Sequence, residues 1–275
     1  MFMSGIPIKT DVELEAMRKA ARLVSATLAA VAPHVRPGVT TGELDRVAEE
    51  FIRDHGAVPA FKGYPGRTPY PATLCVSVNE EVVHGIPGDR VLEEGDLASV
   101  DCGVIIDGFF GDSAYTFGVG ELSEASRELC RATYESLNRA IDKCRVGNRI
   151  GDVSAAVQDY CQALGYGVVR DLVGHGIGKE LHEPPQVPNV GRKGVGRKLK
   201  EGLTICVEPM INQGSAEVET LPDHWTVVAS DGQPSAHYEH MIAVLGSGPE
   251  VLTSFKGIEE VIEAPYKQAG IEDYG

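Results

Sequence analysis

The sequence predicts an α+β fold made of two α/β halves related by a pseudo-twofold axis, and three matched pairs of stretches predict it. "PGVTTGELDRVAEEFIRDHG" (37–56) lines up with "VGNRIGDVSAAVQDYCQALG" (146–165) at a constant offset of 109 residues. Gly38, Gly42, Leu44, Phe51 and Gly56 fall on Gly147, Gly151, Val153, Tyr160 and Gly165. "HGIP" (84–87) then answers "HGIG" (175–178), and "EGDLASVD" (94–101) answers "EGLTICVE" (201–208). Helix ends resemble one another, so one match could be chance; three in the same order make a duplication. The period is too long for a solenoid and suits a duplicated domain.

Thr10 and Glu13 form a capping-box pattern, and Leu14, Met17, Ala21, Val24, Leu28 and Val31 recur at threes and fours behind it, which predicts an amphipathic helix. Thr40 with Glu43 opens a second helix over about 42–55, closed by Gly56. Residues 97–117 read as a hairpin turned at Asp107 and Gly108. That loop sets Ile106 opposite Phe109 and Gly103 opposite Asp112, and it puts Asp101 on the face of Asp112, diagonal to it. The chain after Gly246 is expected to add one strand and then an acidic tail. The predicted organisation is an N-terminal extension (1–10), one domain (11–253) with halves over about 11–120 and 121–253, and a C-terminal tail (254–275).

Forty acidic residues against 25 basic ones give a formal net charge of −15, which argues against a DNA-binding surface. "GRKGVGRKLK" (191–200) runs against that field with five basic residues. It reads first as a solvated glycine-rich loop, and alternatively as a docking patch for ribosomal RNA. The six cysteines, Cys75, Cys102, Cys130, Cys144, Cys161 and Cys206, show no CxxC pair, as expected of reduced thiols in a cytoplasmic protein. The N-terminus is charged too early for a signal peptide, and no run of about 18 apolar residues suggests a membrane span.

The matched stretches carry the chemistry. They end on His84 with His175 and on Asp101 with Glu208, and each half adds one later carboxylate, Asp112 and Glu239. Two carboxylates as close as Asp101 and Asp112 raise each other's pKa unless a cation lies between them. Glu208 closes an apolar run before Pro209, and Glu239 sits in "HYEHMIAV", where an ionised carboxylate is costly unless paired or metal-bound. Asp101, Asp112, Glu208 and Glu239, completed by His175, are the candidate metal ligands, and their four negative charges would be neutralised by two divalent ions. One imidazole and four carboxylates would accept manganese, iron, cobalt or zinc.

"SVNEEVVHGIP", "DCGVIIDGFFGDSAYTF", "GHGIGKELHEPPQVPN", "CVEPM" and "HYEHMIAV" resemble, in order and over about residues 8–253, the motifs of the type I methionine aminopeptidases. The resemblance implies the pita-bread fold, a cytoplasmic monomer acting on the N-termini of nascent polypeptides, and a dinuclear site with those five ligands. It gives His84 and His182 to the substrate and points to Tyr70, Cys75 and Trp225 as the wall of the methionine pocket. Leu181 departs from the family, which often has an aromatic residue there, and 65–74 looks longer than usual. The implied chemistry is attack on the first peptide carbonyl by a hydroxide that the ions generate, with His182 donating to the oxyanion, Glu208 shuttling the proton and His84 on the leaving-side amide. The second substrate residue is expected to be small. Two rival readings share the fold: a proline-directed aminopeptidase or prolidase, which usually carries a further N-terminal domain, and a non-catalytic peptide-binding module, which typically lacks the ligands.

Overall fold

The computed structural model describes residues 5–266. The first half runs through α1 (Asp11–Val31), a 3-10 turn (Ala32–His34), α2 (Thr41–Asp54), β1 (Val58–Pro59), β2 (Leu74–Val78), β3 (Glu81–Val83), β4 (Leu97–Ile106) and β5 (Phe109–Gly118). The second begins with α3 (Glu124–Ile141), α4 (Ile150–Ala163), β6 (Gly167–Val168), β7 (Val173–Gly176) and β8 (Glu183–Pro188). It continues through β9 (Leu203–Val207), β10 (Met210–Asn212), β11 (Val218–Thr220), β12 (Val227–Ala229), β13 (Ser235–His237), β14 (His240–Leu245), β15 (Gly248–Val251) and α5 (Lys256–Glu259).

Both capping boxes form: Thr10 accepts from the Glu13 amide and Thr40 from that of Glu43, with each glutamate returning to the threonine amide. A cap contributes about 1 kcal/mol, whereas each fully buried Leu, Met or Val of the α1 stripe contributes about 1.5–3 kcal/mol. Packing therefore holds α1 in place, and the cap sets where it begins. Leu14, Met17, Ala21, Val24, Leu28 and Val31 are all buried.

The duplication has a structural reason. Helices α2 and α4 begin and end at the predicted 109-residue offset, and each packs its first turn onto the loop that precedes the next long strand. Gly42 N donates to Gly88 O at 2.9 Å, and Gly151 N donates to Val195 O at 2.9 Å. A Cβ at Gly42 would lie 3.0 Å from the Gly88 oxygen, and one at Gly151 2.2 Å from the Arg192 oxygen, so glycine is needed at both for the close approach. The basic stretch 191–200 is this second loop. Its backbone caps α4, Lys193 pairs with Asp159 at 2.8 Å, and its five basic side chains are exposed.

All strand pairing is antiparallel, and the hairpin register is as expected, with Ile106 opposite Phe109, Gly103 opposite Asp112 and Asp101 opposite Ala114. The central sheet is split by hydrogen bonding into a first-half sheet of β1, β4, β2 and β5 and a second-half sheet ordered β15-β14-β9-β7-β8, with two three-stranded sheets beside them. The halves join along β5. Glu239 N donates to Ala114 O (2.9 Å), Ser113 Oγ to Glu239 O (2.8 Å) and Thr116 Oγ1 to His237 O (2.7 Å). Helices α1 and α2 pack against each other and the first-half strands, and α3 and α4 against each other and strands of the second half.

The expected strand after Gly246 is β15. The segment assigned from sequence to a tail has its first part folded in. Phe255, Ile258, Ala264 and Tyr266 are buried, and the Tyr266 ring stacks on Tyr134 with centroids 3.7 Å apart. Residues 267–275, the rest of that predicted tail, and 1–4 of the predicted extension lie outside the described residues. Truncating the buried ring, Tyr266→Ala, should cost about 3 kcal/mol of stability. A urea midpoint equal to that of the parent would show that this segment does not support the core.

Candidate active site

One cavity of about 270 Å³ is lined by all ten residues singled out from the sequence: Tyr70, Cys75, His84, Asp101, Asp112, His175, His182, Glu208, Trp225 and Glu239. The hairpin supplies Asp101 and Asp112, whose carboxyl groups are within hydrogen-bonding reach of each other. Glu208 sits immediately after β9. Glu239 lies between β13 and β14 rather than within a strand, and its amide is tied to β5, so the second half delivers this carboxylate against Asp112.

His175 lies on β7, and its Nδ1 is 3.0 Å from Gly176 O. A carbonyl only accepts, so Nδ1 carries the proton and Nε2 presents a lone pair. That lone pair faces carboxylate oxygens, Glu208 Oε1 at 3.5 Å and Asp112 Oδ2 at 3.7 Å. Lone pairs facing carboxylates repel unless something positive lies between them. Among the described residues, Asp101 Oδ1, Asp112 Oδ1 and Glu239 Oε1 are buried without a hydrogen-bond partner. The donor set, the orphaned oxygens and the imidazole tautomer all fit divalent cations.

Burial pushes Asp101 up to about 7. It raises Asp112 well above the carboxylate range, with help from Glu239 and Asp101. Glu208 and Glu239 are raised in the same way, chiefly by burial and then by neighbouring negative charge. Cys206, which sequence reasoning missed, offers its sulfur within 4.8 Å of donor atoms of Asp112, His175 and Glu239. It precedes Glu208 by two residues and so shares its strand face. Burial, with help from the negative charge of Glu239 and Asp112, pushes its thiol well above the usual range.

His84 follows β3 with φ of 60°, a left-handed turn that takes the chain out of the strand. Its sequence counterpart His175 stays in a strand, so the matched histidines serve different local geometries. Burial lowers His84 to about 4 and keeps the ring neutral. His182 stands edge-on to His175, with centroids 4.4 Å apart. Its Nδ1 lies 2.5 Å from the Tyr64 hydroxyl. Burial raises the Tyr64 pKa, so the phenol is protonated, and among the described residues it has no other acceptor. With Tyr64 as the donor to Nδ1, the His182 N–H lies on Nε2, the tautomer that an oxyanion-facing His182 requires.

Tyr70 and Trp225 meet edge to face, with centroids 5.2 Å apart, and Cys75 completes their side of the cavity. The long 65–74 stretch has a task here: Thr68 O accepts the Trp225 indole N–H at 3.0 Å, and Gly66 lies where a Cβ would overlap the indole ring. Leu181 is buried in the apolar cluster that includes Leu14, Met17, Tyr70 and Cys75. Sequence reasoning also missed Tyr64 and His237. His237 lines the cavity with its Nε2 unpartnered and 4.0 Å from Glu208 Oε2, and only its position two residues before Glu239 could have signalled it.

The profile of metallopeptidase family M24 matches residues 15–245, nearly the whole described chain. The chain belongs to metallopeptidase family M24. Among its M24 relatives, a methionine aminopeptidase from Clostridium perfringens is 52% identical over 91% of this chain and 100% of its own length. A crystal structure of methionine aminopeptidase from Rickettsia prowazekii superposes with a TM-score of 0.89 at 39% identity, covering 91% of this chain and 100% of that one. An Xaa-Pro dipeptidase from Bacillus anthracis shares the M24 fold with a TM-score of 0.73 at 27% identity, but this chain covers only 62% of it.

M24 membership and the donor set imply divalent cations, and their removal should leave a pH signature. Without cations the native carboxyls hold protons that the unfolded chain, with pKa values near 4, has released by about pH 5. The native state then binds more protons, so the stability of chelated protein falls as pH rises through the Asp101 value of about 7. The melting temperature of chelated protein should drop between about pH 5 and 8, and added manganese should abolish the drop. Equal pH profiles with and without metal would show that the carboxylates do not meet a cation.

Proposed function

We propose that this protein is a methionine aminopeptidase that removes the initiator methionine from nascent polypeptides whose second residue is small. The observation that carries the reading is the meeting of Asp101, Asp112, His175, Glu208 and Glu239 with an apolar wall and the histidines His84 and His182 in one cavity. High identity to methionine aminopeptidases across nearly the whole of both chains supports methionine over proline-directed cleavage.

Asp101, Asp112, His175, Glu208 and Glu239 would hold two divalent ions, of manganese, iron, cobalt or zinc. When bound, such ions acidify a water and polarise a carbonyl oxygen. His182 donates its Nε2 hydrogen to the oxygen of the scissile carbonyl as negative charge develops there. Glu208 carries a proton to the leaving nitrogen. His84 contacts the leaving-side amide. Tyr70, Cys75 and Trp225 receive the methionine side chain, and the indole is held in place by Thr68. The protein acts in the cytoplasm as a monomer. The exposed basic side chains of 191–200 would offer ribosomal RNA a salt-sensitive contact, and salt-independent association or none would remove that part of the reading.

The deciding assay follows free methionine released from Met-Ala-Ser, beside X-Pro peptides, with chelated protein resupplied with manganese or cobalt. Metal-dependent cleavage of Met-Ala-Ser alone is expected. Cleavage only at X-Pro would move the protein to the proline-directed branch, and no cleavage with any metal would leave a peptide-binding module. His182→Ala should lower kcat about 10²- to 10³-fold, as loss of an oxyanion donor does elsewhere. His84→Ala should also lower turnover. Both should keep the parent's metal content, and lost metal in either would count against this division of roles.

A further inference from the structure

The turn from Gly178 to Glu183 carries His182 over the cavity, and it is held from an unexpected direction. Lys9, just before the α1 cap, is 8% exposed, and its ammonium donates to Glu183 Oε2. The two side chains are only 5% and 7% exposed. Glu183 Oε1 meanwhile accepts the Lys179 amide at 2.9 Å and faces that of Glu180 at 3.4 Å, so one carboxylate spans the turn. The arm bearing Lys9 is itself anchored, because Lys9 N donates to Gly202 O at 2.7 Å. A Cβ at Gly178 would lie 2.5 Å from Glu183 Oε1 and 2.8 Å from the Lys9 ammonium, so the turn closes tightly over the ion pair. Outside it, Lys179 bridges to Glu13 of the α1 capping box at 2.8 Å.

A buried ion pair is weak grounds for a stability role, because desolvating two charges offsets most of their attraction. It is better suited to fixing one geometry, and the residue next to Glu183 is His182. We propose that Lys9 is a positioning residue for His182: its buried pairing with Glu183 sets the turn so that the imidazole meets the substrate carbonyl while Tyr64 holds its Nδ1. The inference rests on the substrate-facing role given to His182 above. Lys9 touches neither substrate nor metal in this account, so its loss should act on turnover and spare binding.

The test uses the full-length, metal-loaded protein and Met-Ala-Ser, with Lys9→Met and Glu183→Gln each made in the parent and in His182→Ala. Glutamine keeps an acceptor for the Lys179 amide while removing the charge facing Lys9, so Glu183→Gln serves where Lys9→Met does not fold. Displacing a transition-state donor by about 1 Å costs up to about 100-fold, so kcat is expected to fall 10- to 100-fold with KM within about threefold and metal content unchanged. In the His182→Ala background the further loss should vanish, because both changes remove one interaction. An unchanged kcat well below the melting temperature, or an equal loss in both backgrounds, overturns the proposal. If His182→Ala itself turns over like the parent, it is the role of His182 that fails, and that outcome is read before either variant is compared.

Discussion

Asp112 and Glu239 are buried, and Asp101 and Glu208 half-buried, around one cavity in which an isolated ionised carboxylate costs several kcal/mol. A chain free to relax would let the four move apart. This one prevents it with backbone. The β4–β5 register fixes Asp101 diagonal to Asp112, and the bonds from Ser113, Ala114 and Thr116 to residues 237–239 fix Glu239 against β5. Without cations the crowded carboxyls take up protons instead, and the rigidity that keeps them together gives cations a fixed coordination frame.

The duplication explains why such a frame lies at the centre. Each half alone has a strand that brings in a carboxylate, Asp101 within β4 and Glu208 just after β9, and a helix seated on the loop before that strand, and neither half has enough donors to close a site. Apposing the halves at β5 brings two incomplete sets together. The symmetry is then broken where chemistry requires it. His175 stays in β7 and points its lone pair at the carboxylates, whereas the left-handed φ of His84 turns its ring toward the Trp225 side of the cavity.

The features legible in the sequence were those set by local physics or by internal repetition. Capping boxes, the α1 stripe and the hairpin register depend on residues close in the chain; of the ten cavity residues, the repeat points to His84, Asp101, Asp112, His175, Glu208 and Glu239, and the motif resemblance adds Tyr70, Cys75, His182 and Trp225. The unread features join distant parts of the chain. Nothing near Tyr64 signals that it will meet His182 118 positions later, and nothing near Lys9 signals Glu183, 174 positions away. The buried C-terminal segment was read as a tail because its composition is acidic, although Phe255, Ile258 and Tyr266 supply the apolar contacts that fold it in. In the sequence Cys206 looks like the other five thiols, because only the strand face shared with Glu208 distinguishes it.

In the roles proposed for them, His175 and His182 differ as a metal ligand from a hydrogen-bond donor by very little. The two rings are in contact, both are kept neutral by burial, and they lie seven residues apart. What differs is the partner of Nδ1. A carbonyl there forces the proton onto Nδ1 and frees the other nitrogen to coordinate; a phenol there takes up the Nδ1 lone pair and leaves the other nitrogen protonated to donate. On the roles proposed for them, Gly176 and Tyr64 would select which histidine holds the ions and which faces the substrate, a choice that charge and distance to the carboxylates alone would leave open.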